Sequence, residues 1–207
     1  MNAKITATAH NTPKNVMTNH DLEKLVDTTD AWIQSRTGIV QRHIVSEDEA
    51  SSDISTRIAT SLLEKSGISA DGIDLIIVGT VTPDHFTPST AALVQKNIGA
   101  KNAWGFDLSA ACSGFLYGLE TGANFIASGK HKKVMVIGVD TMTSILDFKD
   151  EADSLLMLYA TIVSSSSTRA WFSECFKLRI LFRKILIFLN CLSSFSANCK
   201  ENLQCPI

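Results

Sequence analysis

One cysteine stands apart in the sequence, within the segment DLSAACSGF that spans Asp107–Phe115. The other four cysteines all lie between Cys175 and Cys205, so Cys112 is alone in the preceding part of the chain. An apolar segment precedes it and a helical pattern begins at about Ser113, which predicts that its sulfur lies at the start of a helix. The N–H groups and the dipole of a helix start favour an anionic sulfur and can stabilise an oxyanion. This arrangement is typical of a nucleophile for acyl transfer.

The residues around Cys112 leave a second interpretation open. Ala110, Ala111 and Gly114 are small, so a substrate carbonyl group can approach the sulfur closely. Cysteines outside disulfides, however, more often act as small buried hydrophobic residues, and the local pattern alone favours that interpretation.

Trp32 and Arg36 form a second candidate pair. They are four residues apart in a predicted helix and therefore share one face of it. An indole ring can stack on a flat heterocycle, and a guanidinium group can bind phosphate, so this face can hold a nucleotide-like group. The alternative is a packed tryptophan beside a surface arginine, which the pair by itself favours.

The segments that must position these residues alternate between helices and strands. DLIIVGT (Asp74–Thr80) is a continuous apolar run, which predicts a strand buried on both faces. Alternating helices and apolar strands indicate a parallel α/β architecture with helices on both faces of the sheet. The predicted strands are Ile5–Ala9, Asp74–Thr80, Ala103–Leu108 and Val134–Asp140; the predicted helices end near Val26, near Arg36, before Gly67, before Gly99 and near Ser128.

The composition excludes several classes of function. The chain has 207 residues, 45% of them hydrophobic and 19% charged, and its formal net charge is -2. This balance provides no basic surface for nucleic acid. We expect no metal site, because no metal-ligand spacing is present, and no membrane span. The N-terminal residues contain no continuous apolar core and the lone cysteine suits a reducing compartment, so we expect a cytoplasmic protein.

The composition changes near residue 150. All 11 glycines occur at or before Gly138, and the five histidines end with His131. We therefore divide the chain into an α/β part, residues 1–150, and an atypical tail, residues 151–207. For the tail we consider a shifted reading frame, a disordered segment and a helical segment, including an amphipathic surface helix. Translating the encoding DNA in the other two frames tests the first of these.

Four stretches of the first part together resemble the ketoacyl-acyl carrier protein synthase III family of thiolase-fold condensing enzymes. They are TNHDLEKLVDTTDAWIQSRTGIVQRHI, DLIIVGTVTPDHFTPSTAALVQ, FDLSAACSGFLYGLETG and VMVIGVDTMTSILDFKD. The segments Trp32–Ile39 and Ala110–Phe115 carry the most specific motifs. The resemblance implies an α/β, thiolase-like fold, of which residues 1–150 supply the first half of the layered αβαβα arrangement. It also favours the nucleophile interpretation of Cys112.

The resemblance implies a function in the initiation of fatty acid biosynthesis. In this family a cysteine takes an acyl group, usually acetyl, from coenzyme A, and malonyl-acyl carrier protein then loses CO2 and attacks the acyl-enzyme to give acetoacetyl-acyl carrier protein. Residue by residue, Cys112 matches the nucleophile, Trp32 the side chain that stacks on adenine, and Thr28 and Arg36 its neighbours. Thr87 matches a position that reaches the acyl pocket of the partner subunit in a homodimer. Coenzyme A is a substrate here, and no separate cofactor is implied.

The sequence departs from the family after Asp150. Glu151 stands where the family has the arginine that completes the adenine site, and no histidine follows His131 to match the family's catalytic histidine. We therefore expect this chain to carry out the acyl-transfer half-reaction alone or to be inactive. The alternatives are a non-catalytic remnant that pairs with a full-length homologue, and a related thiolase-fold enzyme with another acyl substrate.

Overall fold

The computed structural model describes residues 3–146. The expectations for the tail, residues 151–207, and for Glu151 fall outside this range. The described residues divide into two compact units: residues 3–15 with Val45–Ser144, and Val16–Ile44 with residues 145–146. We call these the larger and the smaller unit.

The smaller unit contains two short strands and two helices. They are β1 (Asn15–Thr18, whose first residue belongs to the larger unit), α1 (Asn19–Leu22), α2 (Asp30–Thr37) and β2 (Gln41–Ile44), and β1 and β2 form a two-stranded sheet. Buried Leu22 and Ile33 form its core, with Met17, Val26 and Ile39 packed against them.

The first helix of the smaller unit ends earlier than predicted. Thr18 is its capping residue, because the Thr18 hydroxyl accepts the Asp21 N–H while the Asp21 carboxylate accepts the Thr18 N–H. The helix ends at Leu22 instead of continuing towards Val26.

The larger unit is built on a parallel three-stranded sheet. In chain order its elements are α3 (Ser51–Ser66), β3 (Leu75–Gly79), α4 (Thr90–Ile98), β4 (Trp104–Leu108), α5 (Gly114–Ala127) and β5 (Val134–Gly138). The strand order is β4-β3-β5. All five residues of β3 are buried, so the predicted doubly buried strand is confirmed.

Successive residues of β3 face opposite sides of the sheet, as the strand geometry requires. Ile76 and Val78 belong to the main hydrophobic cluster, together with residues of α3 and α4 such as Ile54 and Val94. On the other face, Ile77 lies against α5, where a Cβ atom placed on Gly118 would meet its side chain at 3.6 Å. Helices therefore cover both faces of the sheet, as predicted.

Helix α5 approaches the sheet closely because a line of glycines faces it. A Cβ atom on Gly118 would lie 2.8 Å from a methyl group of Val136, and one on Gly122 would lie 3.1 Å from a methyl group of Val134. Both glycines are buried. The helix axis can sit close to β5 only while these positions lack side chains.

Two further sequence predictions have opposite outcomes. Helices α3 and α4 end at Gly67 and Gly99, both with left-handed backbone, which confirms the predicted stops. The predicted strand Ile5–Ala9 is wrong, since these residues belong to no strand. Its alternating apolar residues satisfied the local pattern, but a strand also requires a pairing partner.

No helix within residues 3–146 is long and apolar enough to cross a membrane.

Candidate functional site

Cys112 lies in the turn that joins β4 to α5, at the carboxyl-terminal edge of the parallel sheet. Residues Ala111–Ser113 form one turn of 3-10 helix that runs directly into α5, and the Cys112 side chain is exposed. Ala111 has a φ of 45°, a left-handed conformation that is uncommon for a residue with a side chain. Such strained backbone is frequent where a strand-to-helix turn presents a nucleophile. The structure therefore supports exposure of the sulfur rather than the buried alternative.

Two of the helix-start N–H groups on which the sequence argument relied have acceptors within the turn. The Ser113 N–H donates to the Ala110 carbonyl group, and the Gly114 N–H donates to that of Ala111. The 3-10 turn uses these donors because it extends the helix backward by one turn. Stabilisation of an anionic sulfur therefore depends on the aligned dipoles of α5 more than on these two groups.

The turn is anchored to the centre of the sheet by a backbone contact. A Cβ atom placed on Gly79, the last residue of β3, would lie 2.8 Å from the carbonyl carbon of Gly114 and 3.0 Å from the Phe115 nitrogen. The start of α5 therefore rests on β3 at a separation that no side chain permits. This contact therefore fixes the position of the turn that carries Cys112.

Thr87 also belongs to the carboxyl-terminal side of the sheet, in the loop between β3 and α4. Its side chain is exposed, and the neighbouring Phe86 is fully exposed. The peptide bond between Thr87 and Pro88 is cis. Exposure of this tip is compatible with the contact to a partner subunit that the resemblance implies.

Trp32 and Arg36 lie together on one face of α2, as their spacing predicted. The Arg36 guanidinium carbon is 6.0 Å from the centre of the Trp32 ring, a cation–π distance. The indole is 40% exposed, so it is not the packed core residue of the alternative interpretation. This pair presents a flat aromatic surface beside a positive charge, which suits a heterocycle linked to phosphate.

Thr28 precedes the helix that carries this pair. Its hydroxyl oxygen is buried and has no hydrogen-bond partner among residues 3–146. The next residue, Thr29, caps α2 by accepting the Trp32 N–H at 3.2 Å. An unsatisfied hydroxyl group one residue before the cap can bind a polar group of a ligand, because leaving it unpaired is unfavourable.

A buried polar chain positions α2 within the smaller unit, and sequence reasoning missed it. Asn19 donates to Asp30, the first residue of α2, at 2.8 Å, and its amide oxygen accepts from Arg42 at 2.8 Å. Arg42 and Asn19 are both almost completely buried. Burial lowers the pKa of the Arg42 guanidinium, and hydrogen bonds from Gln34 and Asn19 lower that of Asp30. No local sequence signal identifies these hydrogen-bonded side chains, because they are separated by up to 23 positions.

Two aspartates of the sheet were also missed as contributors to the site. Asp107 on β4 and Asp140 after β5 bind backbone N–H groups at opposite ends of the loop that carries Thr87. Asp107 is the first residue of the segment Asp107–Phe115 that contains Cys112. Its place beside the cysteine is the sequence signal from which its role could have been found. Within residues 3–146, no group of three or more metal-ligating side chains is arranged to hold an ion.

Comparison with known proteins finds relatives that share the segment around Cys112. The family model described as 3-oxoacyl-[acyl-carrier-protein (ACP)] synthase III matches residues 106–161, which include Cys112. The β-ketoacyl-[acyl-carrier-protein] synthase III of Chlorobaculum tepidum is 60% identical over 157 residues, covering 75% of this chain and 48% of that protein. The corresponding protein of Streptococcus sanguinis is 53% identical over 154 residues, covering 74% and 47%. The chain thus spans about half the length of the curated relatives it matches.

Solved structures show the same likeness. The 3-oxoacyl-[acyl-carrier-protein] synthase III of Aquifex aeolicus superposes with a TM-score of 0.69 at 46% identity, covering 72% of this chain and 48% of that one. A priming β-ketosynthase of a polyketide biosynthetic pathway superposes with a TM-score of 0.68 at 30% identity, covering 76% and 48%. The described residues therefore have the α/β, thiolase-like fold that the sequence predicted.

Proposed function

We propose that this chain, which carries the counterpart of the amino-terminal half of a β-ketoacyl-[acyl-carrier-protein] synthase III, accepts an acyl group from acyl-coenzyme A on the sulfur of Cys112. The observation that carries the proposal is the exposed Cys112 in a strained turn between β4 and α5. The family resemblance makes acetyl the expected acyl group, and it places the reaction at the initiation of fatty acid biosynthesis.

The acyl transfer requires one bond to form and one to break. The Cys112 sulfur attacks the thioester carbonyl carbon, whose oxygen becomes an oxyanion in the tetrahedral intermediate. The bond to the coenzyme A sulfur then breaks, coenzyme A leaves and takes up a proton, and the acyl group remains on Cys112 as a new thioester. The dipole of α5 favours the negative charge at the attacking sulfur.

Coenzyme A binding is assigned to the smaller unit. We propose that the adenine ring stacks on the exposed face of Trp32, that Arg36 contributes positive charge near the phosphates, and that the Thr28 hydroxyl supplies a hydrogen bond. The cation–π distance between the first two residues and the unpaired hydroxyl group of the third support this assignment. Aromatic stacking tolerates different attached groups, so this site does not select the acyl chain.

The complete condensation, which is the reaction that the family resemblance implies, is the second part of the same proposal. There the acyl-enzyme is attacked by the carbanion that forms when malonyl-acyl carrier protein loses CO2, giving acetoacetyl-acyl carrier protein. A homodimer is part of this function, because Thr87 matches a position that serves the partner's acyl pocket. A cytoplasmic location is also part of the proposal, because the isolated Cys112 suits a reducing compartment. Of this reaction, the transfer of the acyl group to Cys112 is the step that the described residues support.

Incubation of the full chain with radiolabelled acetyl-coenzyme A tests the proposal. We expect label on the peptide that contains Cys112, identified by mass spectrometry, and none on the peptides that contain the four later cysteines. Cys112→Ser abolishes the label while leaving the circular dichroism spectrum unchanged. A well-folded chain without label would refute acyl transfer. Formation of acetoacetyl-acyl carrier protein on addition of the malonyl substrate would instead refute the restriction to the half-reaction.

A further inference from the structure

The loop between β3 and α4, residues 80–89, has buried ends and an exposed tip. Thr82 near its start is 8% exposed, and Thr90 directly after its end is fully buried. Between them Phe86 is fully exposed and Thr87 is exposed. A tip this exposed has few contacts of its own, so its position depends on how the two ends are held.

The start of the loop is held by a carboxylate from the neighbouring strand. One oxygen atom of Asp140, Oδ1, accepts the Val81 N–H at 2.8 Å and the Thr80 hydroxyl at 3.2 Å. The Thr82 hydroxyl lies 3.3 Å from the same oxygen. Burial raises the pKa of Asp140, yet Oδ1 remains an acceptor in either protonation state, because a carboxylic acid keeps one carbonyl oxygen.

A second set of hydrogen bonds connects this end of the loop to α3. The Thr141 N–H donates to the Thr82 hydroxyl at 2.8 Å, and the Ser51 hydroxyl donates to the Thr82 carbonyl oxygen at 2.6 Å. All three residues are buried. Since a buried network of this kind loses several bonds when one member is removed, the start of the loop behaves as one rigid group.

The end of the loop is held by a carboxylate from the strand on the other side of β3. The two oxygens of Asp107 accept the N–H groups of Thr90 and Ala91, at 2.7 Å and 2.8 Å. These are the first two residues of α4, where the helix dipole favours a negative charge. Ser89 caps the same helix by accepting the Ala92 N–H at 3.2 Å.

We propose that Asp107 and Asp140 are positioning residues that hold the two ends of the β3–α4 loop, and that the path they impose on its tip determines which acyl chains are accepted. The specificity part rests on the proposed function, because it is the resemblance that places Thr87 at a partner's acyl pocket. The positioning part rests on hydrogen bonds of the described residues alone. Both carboxylates accept hydrogen bonds from residues at the ends of the loop, so we assign them an effect that acts through the loop.

The chain contains a matched carboxylate at the opposite edge of the sheet. Asp74, directly before β3, accepts the N–H groups of Lys132 and Lys133 at 2.7 Å and 2.9 Å. It holds a loop by the same kind of bond, but at the amino-terminal edge of the sheet. Asp74→Asn therefore controls for the general effect of removing a carboxylate that binds backbone N–H groups.

Hydrogen exchange on the full chain tests the positioning part. In Asp140→Asn we expect exchange of the Val81 amide to accelerate about tenfold, and in Asp107→Asn that of the Thr90 and Ala91 amides, because each of these N–H groups donates to the carboxylate that is replaced. Asp74→Asn should accelerate exchange at Lys132 and Lys133 and leave these three amides unchanged. Thr80→Val, which removes one donor to Asp140 and preserves shape, should give a smaller acceleration at Val81, and it provides the measurement if Asp140→Asn unfolds. Unchanged exchange at Val81, Thr90 and Ala91 in the aspartate variants would refute the proposal.

The specificity part is read from the ratio of Cys112 acylation rates with acetyl- and butyryl-coenzyme A. We expect this ratio to change at least threefold in Asp140→Asn and Asp107→Asn, and to match the unaltered chain in Asp74→Asn. A merely structural role would lower both rates together and leave the ratio constant, which would overturn this part. Because exchange requires no acyl-coenzyme A, failure of the unaltered chain to take up acetyl would refute the proposed function while leaving the positioning result to be judged by itself.

Discussion

Gly79 and Gly114 are in direct backbone contact: a Cβ atom on the first would lie 2.8 Å from the carbonyl carbon of the second. Gly79 ends the central strand, and Gly114 begins the helix that follows Cys112. Because the obstructing atoms belong to the backbone, no side-chain rotation can relieve the contact. The position of the candidate nucleophile therefore depends on the absence of a side chain at residue 79.

We predict that Gly79→Ala lowers the free energy of unfolding by about 1–3 kcal/mol, as overpacking of a filled core does. The same change displaces the turn before α5 and alters the rate at which iodoacetamide alkylates Cys112. Urea denaturation and alkylation kinetics measure the two effects. Gly67→Ala is the control, because its Cβ atom meets nothing within 4 Å and only its left-handed backbone is strained, by about 1 kcal/mol. An unchanged alkylation rate in Gly79→Ala would contradict the role of this contact.

The exposed indole on α2 yields a prediction about ligand binding. Trp32→Ala should weaken the binding of coenzyme A about tenfold or more, because stacking of a base on an aromatic side chain contributes about 1–3 kcal/mol. Isothermal titration calorimetry measures the change. Trp104→Ala is the control, because it removes an indole of similar exposure, 46%, from the larger unit. The dissociation constant of coenzyme A for this variant should equal that for the unaltered chain. Equal weakening in both variants would argue against an adenine site on α2.

The buried amide of Asn19 yields a prediction about stability. Asn19→Ala removes the acceptor of Arg42 and a donor to Asp30, so we expect the free energy of unfolding to fall by roughly 2–3 kcal/mol. Thermal denaturation followed by circular dichroism measures it. Asn97→Ala breaks one exposed hydrogen bond, to Thr56, and should change stability little. Equal stability of the two variants would show that the hydrogen bonds of Asn19 to Asp30 and Arg42 do not hold α2 in place.

Asp140 and Asp74 should contribute to the pH dependence of stability with opposite signs. Burial raises the pKa of Asp140, so the folded chain keeps its proton to higher pH than the unfolded chain, and its contribution to stability falls as pH rises from 3.8 through the folded value. The N–H groups of Lys132 and Lys133 lower the pKa of Asp74, so its contribution is present above pH 3.8 and is lost as pH falls through the folded value.

Urea denaturation of each asparagine variant across the acid range isolates these contributions. The stability difference between the unaltered chain and Asp140→Asn should decrease with rising pH. The difference between the unaltered chain and Asp74→Asn should increase with rising pH until it reaches a plateau. Slopes of the same sign for the two variants would show that one of the assigned environments is wrong.

Much of the larger unit could be predicted from the sequence, because its signals are local. The apolar run of β3 identifies a doubly buried strand, and Gly67 and Gly99 mark helix ends through their left-handed backbone. The same local reasoning failed for Ile5–Ala9, whose alternating apolar residues pair with no strand within residues 3–146. It also failed for the amides after Cys112, because a 3-10 turn is decided by packing at the helix start rather than by residue type.

The sequence by itself determined the main elements of the larger unit, the position of Cys112 between a strand and a helix, and the shared helix face of Trp32 and Arg36, since each depends on residues close together in the chain. It did not identify β1 and β2 of the smaller unit. Only the tertiary structure decided how these elements are held. The contact of Gly79 with Gly114 and the bonds of Asp107 and Asp140 to the β3–α4 loop and the start of α4 join positions 16 to 60 residues apart. Such contacts form when strands and helices pack into one core, and no local pattern encodes which distant partner a carboxylate or a glycine will meet.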